Sequence, residues 1–260
     1  MKDPTILRTF LRPKWLLTHL LVIVLVVVMM SLSMWQFGRL DERKTFNAGL
    51  KANATQAITP IKNLAVSLPA DLNTIQWRRV VVQGTFRPAA EVTILNRSQD
   101  GAAGVDAATP LDFTIDGKMY AVIVDRGFVP LATPMPKAPS GDVELVGRIR
   151  LSQERRTGAL SDPTTGVLTE VQRLDVQRLS EQTRLNDQQT VLPFYLDLLE
   201  SPQVTSALPA QVPSPRADNG SHLSYAIQWL IFSIAVIVGW VLAIRKSLAN
   251  RALATPSDCT

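Results

Sequence analysis

The sequence is poor in the residues that most enzymatic chemistry requires. Its 260 residues include one cysteine, Cys259, and two histidines, His19 and His222. A single thiol excludes a disulfide scaffold and any multi-cysteine zinc site. A Ser-His-Asp triad would have to use His222, which sits between a proline-bearing stretch and an apolar run, a poor place to lock such a triad. There is no phosphate-binding loop, no zinc-helix motif and no Cys-x-x-Cys-His. Nucleotide hydrolysis, zinc proteolysis and covalent haem attachment therefore lack support. Charge is also scarce, at 19% against roughly 25% in an average soluble domain. With 46% hydrophobic residues, the chain is not a disordered one.

What charge exists is unevenly placed. Gly38 to Leu223 carries 20 basic and 20 acidic residues, so the whole net charge of +5 lies outside that region. The excess comes from Lys2, Arg8, Arg12 and Lys14 at one end and Arg245, Lys246 and Arg251 at the other, against Asp3 and Asp258. A nucleic-acid binder would carry its basic residues on the folded domain; no nucleic-acid partner is expected. Here they flank two apolar runs, Trp15 to Met34 and Ala226 to Ile244, in the positive-inside pattern of a membrane protein. Each run is about 20 residues, enough to cross a hydrocarbon core of about 30 Å. The first is longer than the h-region of a signal peptide, so an uncleaved helix is expected.

These features predict a cytoplasmic segment 1–14, a transmembrane helix over 15–37, an extracytoplasmic domain over 38–224, a second transmembrane helix over 225–244 and a cytoplasmic tail 245–260. The expected setting is a bacterial cell membrane, multi-pass, with both termini cytoplasmic; a mitochondrial inner membrane is the alternative. An exported domain without a thiol suits an oxidising compartment.

The exported region reads as mainly β. Trp77–Phe86, Glu91–Asn96, Ala108–Ile115, Met119–Val129, Val143–Leu151 and Thr190–Leu199 are rich in Val, Ile, Thr and aromatics. Asp116-Gly117-Lys118 marks a hairpin. The fold class predicted is a membrane protein of α+β type. Two terminal transmembrane helices flank a mainly antiparallel β domain, a small barrel or sandwich, with one or two helices. One helix is expected around Val171–Thr183, an extended loop over Leu131–Gly141 and a semi-rigid linker over Leu208–Gly220.

Three stretches carry candidate functional residues. At the second apolar run, His222, Tyr225, Ala226 and Trp229 fall at i, i+3, i+4 and i+7 and share a helix face. They read either as an interfacial anchor or as an axial haem-iron ligand with flat walls beside it. Gln228, polar within the span, needs a partner inside protein and hints at an intramembrane contact surface. After the first run come Trp35, Gln36 and Arg39: Trp35 is a natural interfacial anchor, and Arg39 can snorkel to lipid phosphate. On the domain, Asp125-Arg126-Gly127 closes a strand. Gly127 suggests a bulge or close backbone approach, and Asp125 with Arg126 suggests a local ion pair. Arg126 could alternatively hold an anionic propionate or a partner carboxylate.

In this order, the segments resemble the Surfeit locus protein 1 family of cytochrome c oxidase assembly factors. The resemblance is carried by Trp35-Gln36-x-x-Arg39-Leu40, Gly84-x-Phe86, Asn96-Arg97, Gly104 and Val124-Asp125-Arg126-Gly127-Phe128-Val129-Pro130. It continues through Gly147-x-Ile149-Arg150 to His222-Leu223-x-Tyr225-Ala226-x-Gln228-Trp229. Ser33 stands where the family usually has glycine, Phe128 where it has tryptophan, and Arg43 where it has lysine; residues 162–189 match poorly. The resemblance implies a non-enzymatic factor that assists delivery of haem A, a transient cofactor, to the catalytic subunit of the oxidase and stabilises an assembly intermediate. It implies His222 as iron ligand, with Tyr225 and Trp229 in the haem-binding group. The implied partners are oxidase subunits, above all the haem-bearing one, the haem A synthase and membrane lipid. A structural accessory that docks on the oxidase without haem, or a two-span sensor, are the alternatives.

Overall fold

Alternating Val, Ile and Thr in the middle of the chain makes strands that can bury one face or both, and their pairing builds the domain. The computed structural model describes residues 13–155, 157–204 and 206–253; within these, the side chains of 251–253 are left aside. In chain order the elements are α1 (Pro13–Ala54), β1 (Thr59–Pro60), α2 (Lys62–Ala65), β2 (Arg79–Phe86), β3 (Val92–Gln99), β4 (Ala102–Ile115), β5 (Lys118–Pro130), β6 (Asp142–Leu151), β7 (Glu170–Val171), α3 (Val176–Thr183), β8 (Thr190–Glu200) and α4 (His222–Leu253). The chain divides into two compact units. One is residues 49–216; the other comprises the described residues of 1–48 and 217–260.

In the β unit the strand order is β1-β2-β6-β8-β5-β4-β3-β7, and β2 also pairs with β4. The sheet therefore closes through β2-β6-β8-β5-β4, with Thr85↔Asp112 and Phe86↔Leu111 as the closing pairs. Closure removes the free edges that an open sheet leaves. The expected antiparallel character holds for most of the ring, but β5 and β8 run parallel. Inside the ring, Val80, Val82, Leu111, Val122, Val124, Leu145, Ile149, Leu192, Phe194 and Leu196 form one core. A second core lies on the opposite sheet face, where Ile94, Ala108, Ile123 and Tyr195 meet Leu174, Val176 and Leu179. With both faces covered, β5 is buried without interruption from Tyr120 to Val129.

Closure depends on a missing side chain. A Cβ on Gly84 would stand 2.4 Å from the carbonyl oxygen of Asp112, closer than any real contact. Gly84→Ala should therefore push β2 off β4 and cost about 1–3 kcal/mol. A lowered unfolding midpoint of the full chain in detergent checks this; an unchanged midpoint would mean the ring is open in solution.

The helix expected over Val171–Thr183 begins later, at Val176, because Asp175 caps it by accepting from the Arg178 N–H at 3.0 Å. Glu170 and Val171 instead pair with β3. The hairpin at Asp116-Gly117 is as expected, with both residues at positive φ (48° and 77°), as a two-residue turn between twisted strands requires.

Both terminal helices, α1 and α4, are long and apolar enough to cross a membrane. α1 extends well past residue 37, to Ala54, and α4 begins at His222. Leu17, Leu20, Ile23 and Val27 on α1 are exposed, as are Ile227, Ile231, Ile234 and Leu242 on α4. Such surface suits lipid rather than water, consistent with a membrane protein. Residues 1–12 and 254–260, which include Lys2, Asp3, Arg8, Arg12, Asp258 and Cys259, lie outside the described residues.

Candidate functional site

α1 and α4 run antiparallel, and three polar contacts fix their register. Trp240 Nε1 donates to His19 Nδ1 at 3.0 Å near one end of the pair. Ser33 Oγ donates to the Ala226 carbonyl at 2.9 Å, and one turn further on His222 Nδ1 meets Gln36 Oε1 at 2.9 Å. Ser33, Ala226 and Ser233 are all but fully buried; small side chains let the two backbones approach closely. Ser33 thus does what a glycine would do at this crossing, and adds a hydrogen bond.

The Gln36–His222 bond selects the tautomer of the neutral imidazole. The amide oxygen Oε1 only accepts, so Nδ1 is the donor, and in the neutral ring the lone pair is on Nε2. This is the arrangement in which outer partners hold metal-binding histidines. Gly220 lies beside the ring: a Cβ there would stand 3.6 Å from Nε2 and 3.4 Å from Cδ2. The turn that carries Gly220 is itself tied down. Asn47 Nδ2 donates to the Asp218 carbonyl and to Asn219 Oδ1, and the Gly220 N–H donates to Asp218 Oδ1.

The other expected residues of this stretch are placed as follows. Tyr225 is 48% exposed and Trp35 58% exposed. Trp229 is half-buried and meets Phe232 edge to face. Arg39 bonds Glu42 at 2.5 Å in an exposed pair and so has a protein partner. Gln228 is exposed, and among the described residues nothing bonds its amide.

The strand motif lies in the β unit. β4 and β5 are out of step at one point, with Ala107 opposite Gly127 and Ala108 opposite Asp125. Arg126 is thus the extra residue of a bulge. Gly127 sits at φ +120°, and a Cβ on it would strike the Ala210 carbonyl at 2.2 Å, so bulge and close approach both occur. The local Asp125–Arg126 ion pair is replaced by other partners. Arg126 Nη2 bonds Glu91 at 2.6 Å and the Pro136 carbonyl at 2.9 Å, and its Nε donates to Thr109 Oγ1 at 2.9 Å. Asp125 Oδ1 accepts from the Gly127 N–H at 3.0 Å.

Behind this motif lies a buried charge cluster that the sequence did not single out. Asp197, opposite Asp125 in the parallel register, accepts on Oδ2 from Arg148 Nε (3.0 Å) and Nη2 (2.6 Å) and from Arg150 Nη1 (3.0 Å). Its Oδ1 is buried with no partner among the described residues. The Arg150 guanidinium stacks 4.4 Å from the Trp77 ring centre. Arg148 also reaches Ser214 Oγ and the carbonyls of Val212 and Pro213, which pins the stretch expected to be a linker. Burial, followed by the charges of Asp106 and Asp197, holds the Asp125 carboxyl well above the usual carboxylate range. Asp106 is raised as well, by burial against the pull of Arg97.

A group raised in this way keeps its proton to higher pH in the folded chain than in the unfolded one. Its contribution to stability is complete below the unfolded value and is lost as pH climbs through the folded one. Asp125→Asn keeps the shape without the acid. The variant should match the parent in acidic buffer and exceed it increasingly as the medium turns alkaline; unfolding midpoints across pH check this. A constant gap would mean that Asp125 is ionised in the folded chain.

A closed β-barrel unit accompanied by two bilayer-length apolar helices, joined through a Gln–His contact, defines a two-helix anchored β-domain protein. The model of the SURF1 family matches residues 23–234, and the chain belongs to that family. It is 27% identical over 237 residues to an uncharacterised SURF1-like protein of Mycobacterium tuberculosis, covering 88% of this chain and 83% of the relative. A SURF1-like protein of Rickettsia felis is 25% identical over 241 residues, or 89% of this chain and 99% of the relative. Surfeit locus protein 1 of Takifugu rubripes is 28% identical over 146 residues, or 48% and 58%.

Proposed function

We propose that this chain is a cytochrome c oxidase assembly factor that holds haem A through His222 and passes it toward the haem-bearing catalytic subunit. The observation that supports the reading is the 2.9 Å contact of Gln36 with His222 Nδ1. It leaves Nε2 as a lone-pair donor beside a residue with no side chain. An imidazole nitrogen of this kind suits haem iron. Tyr225 and Trp229, at i+3 and i+7 from His222, offer ring faces to an apolar macrocycle. When bound, the haem supplies the iron centre that the oxidase will use. The chain's residues only bind, orient and release, so the role is non-catalytic. One imidazole suits hand-off better than two closed ligands would.

The basic flanks of both helices favour cytoplasmic termini and an extracytoplasmic domain in a bacterial membrane, with the haem A synthase as the neighbouring donor. A second reading, docking on the oxidase without haem, is favoured by Gln228. Its amide has no partner among the described residues, and a polar group in hydrocarbon seeks one on another helix. Deletion of the gene tests the shared part of both readings. Loss of the oxidase's haem A spectrum and activity is expected, and a normal spectrum with normal activity would overturn both.

A further inference from the structure

Two contiguous cavities open where β5 and β8 part company after the Asp125–Asp197 pair. The smaller, about 190 Å³, is lined by Arg126, Lys137, Leu198, Val204, Ser206 and Leu208 among others, and no acidic residue lines it. The larger, about 490 Å³, shares Arg126, Leu198, Val204 and Ser206 with it but is also lined by Glu200, so the acid-free space is the smaller one.

Arg126 is unusual there. Its side chain is 2% exposed, yet it lines both cavities. Three bonds from Nε and Nη2 hold it, to Thr109, Glu91 and Pro136. Nη1 bonds nothing among the described residues, so two N–H donors remain on a guanidinium that is already fixed. A donor that needs no further ordering binds at low entropic cost. Glu91 offsets the charge of Arg126. Lys137, exposed on the proline-bearing loop and without an ion pair among the described residues, supplies one positive charge that no residue lining the smaller cavity offsets. Leu198, Val204 and Leu208 line the same space with apolar surface.

From this we propose that the smaller cavity is a binding site for a single carboxylate borne on an apolar body. The carboxylate lies between Arg126 Nη1 and Lys137 Nζ, and the apolar part rests on Leu198, Val204 and Leu208. One uncompensated charge matches a carboxylate; a phosphate dianion would remain half-neutralised. The site lies wholly within the β unit and does not depend on the haem reading.

The test uses the full chain in nanodiscs, with saturation-transfer NMR on hexanoate and on hexanamide. Hexanoate should give a signal that hexanamide does not. Lys137→Glu should weaken hexanoate by about tenfold or more through charge reversal. Val204→Trp, which fills the space, should abolish the signal. Neither variant removes a bond of Arg126, and unchanged unfolding midpoints confirm their folding. Equal signals from acid and amide, no hexanoate signal at all, or hexanoate binding unaltered in both variants would each overturn the proposal. Competition arms identify the source. Displacement of hexanoate by a porphyrin dicarboxylate but not by its dimethyl ester assigns the carboxylate to a tetrapyrrole side chain. Hexanoate binding without such displacement assigns it to a free chain carboxylate.

Discussion

His222→Ala, purified in detergent from cells that make haem A, is expected to carry little or no haem where the parent chain carries it. The expectation follows from the donor set. Of the two histidines, His19 accepts the Trp240 N–H on its Nδ1, while His222 Nε2 has no hydrogen-bond partner among the described residues and lies next to a residue lacking a side chain. Gln36 variants separate ligation from mere folding. Gln36→Ala removes the acceptor that fixes the tautomer, and loss of such an outer partner typically weakens metal binding about 10–100-fold. Gln36→Glu keeps an acceptor and makes it an anion, which raises the basicity of the imidazole and should lower the reduction potential of bound haem. A purely structural Gln36 would move neither quantity. Equal haem content and equal optical spectra in the parent and His222→Ala would remove His222 from the role.

The second large effect lies in the β unit. Asp197 is fully buried and receives three guanidinium N–H bonds from Arg148 and Arg150. Asp197→Ala strands the Arg148 charge, since that side chain is only 4% exposed. Breaking a buried pair by removing one partner costs about 3–5 kcal/mol, a large part of the roughly 5–15 kcal/mol that holds a domain together. The full chain should show a much lower unfolding midpoint and reduced yield. Arg39→Ala, which breaks an exposed pair with Glu42, should change little by the same measurement. An Asp197→Ala chain as stable as the parent would mean that Arg148 finds water in solution and that the cluster is open.

The long strands were legible because β-branched residues mark them directly. All six expected strands occur, each shifted or extended by a few residues. β4 starts six residues earlier than Ala108. Its first part, Ala102 to Ala107, is small and glycine-bearing, with little strand preference of its own, and is extended because β3 and β5 pair with it on either side. The two-residue strands β1 and β7 carry no pattern to read. Ring closure and the parallel β5–β8 pairing are long-range events; only the bare Gly84 in Gly84-x-Phe86 hinted at a close approach. The stretch after Leu208 read as a semi-rigid linker from its prolines. Ala210 nevertheless exchanges two 2.7 Å backbone bonds with Phe128, which composition does not reveal.

For the candidate site, sequence placed His222, Tyr225, Ala226 and Trp229 on one face; in α4 Ala226 is fully buried while Tyr225 is exposed. The partner of His222 was out of reach. Gln36 lies 186 residues away, and only the antiparallel register of two apolar helices brings it alongside. The signal was present in hindsight: a polar amide at the outer end of one span and a histidine at the outer end of the other. In the strand motif, the bulge at Gly127 was readable from glycine alone. The partners of Arg126 were not, because Glu91 and Thr109 come from other parts of the sheet.

Haem content of the full chain tests the central claim most directly. The protein is purified in detergent from cells that make haem A but lack the oxidase's catalytic subunit, so that cargo has no acceptor. The account predicts haem A bound at up to one per chain, and none when the haem A synthase is also deleted. A chain that emerges colourless from cells rich in haem A would contradict it.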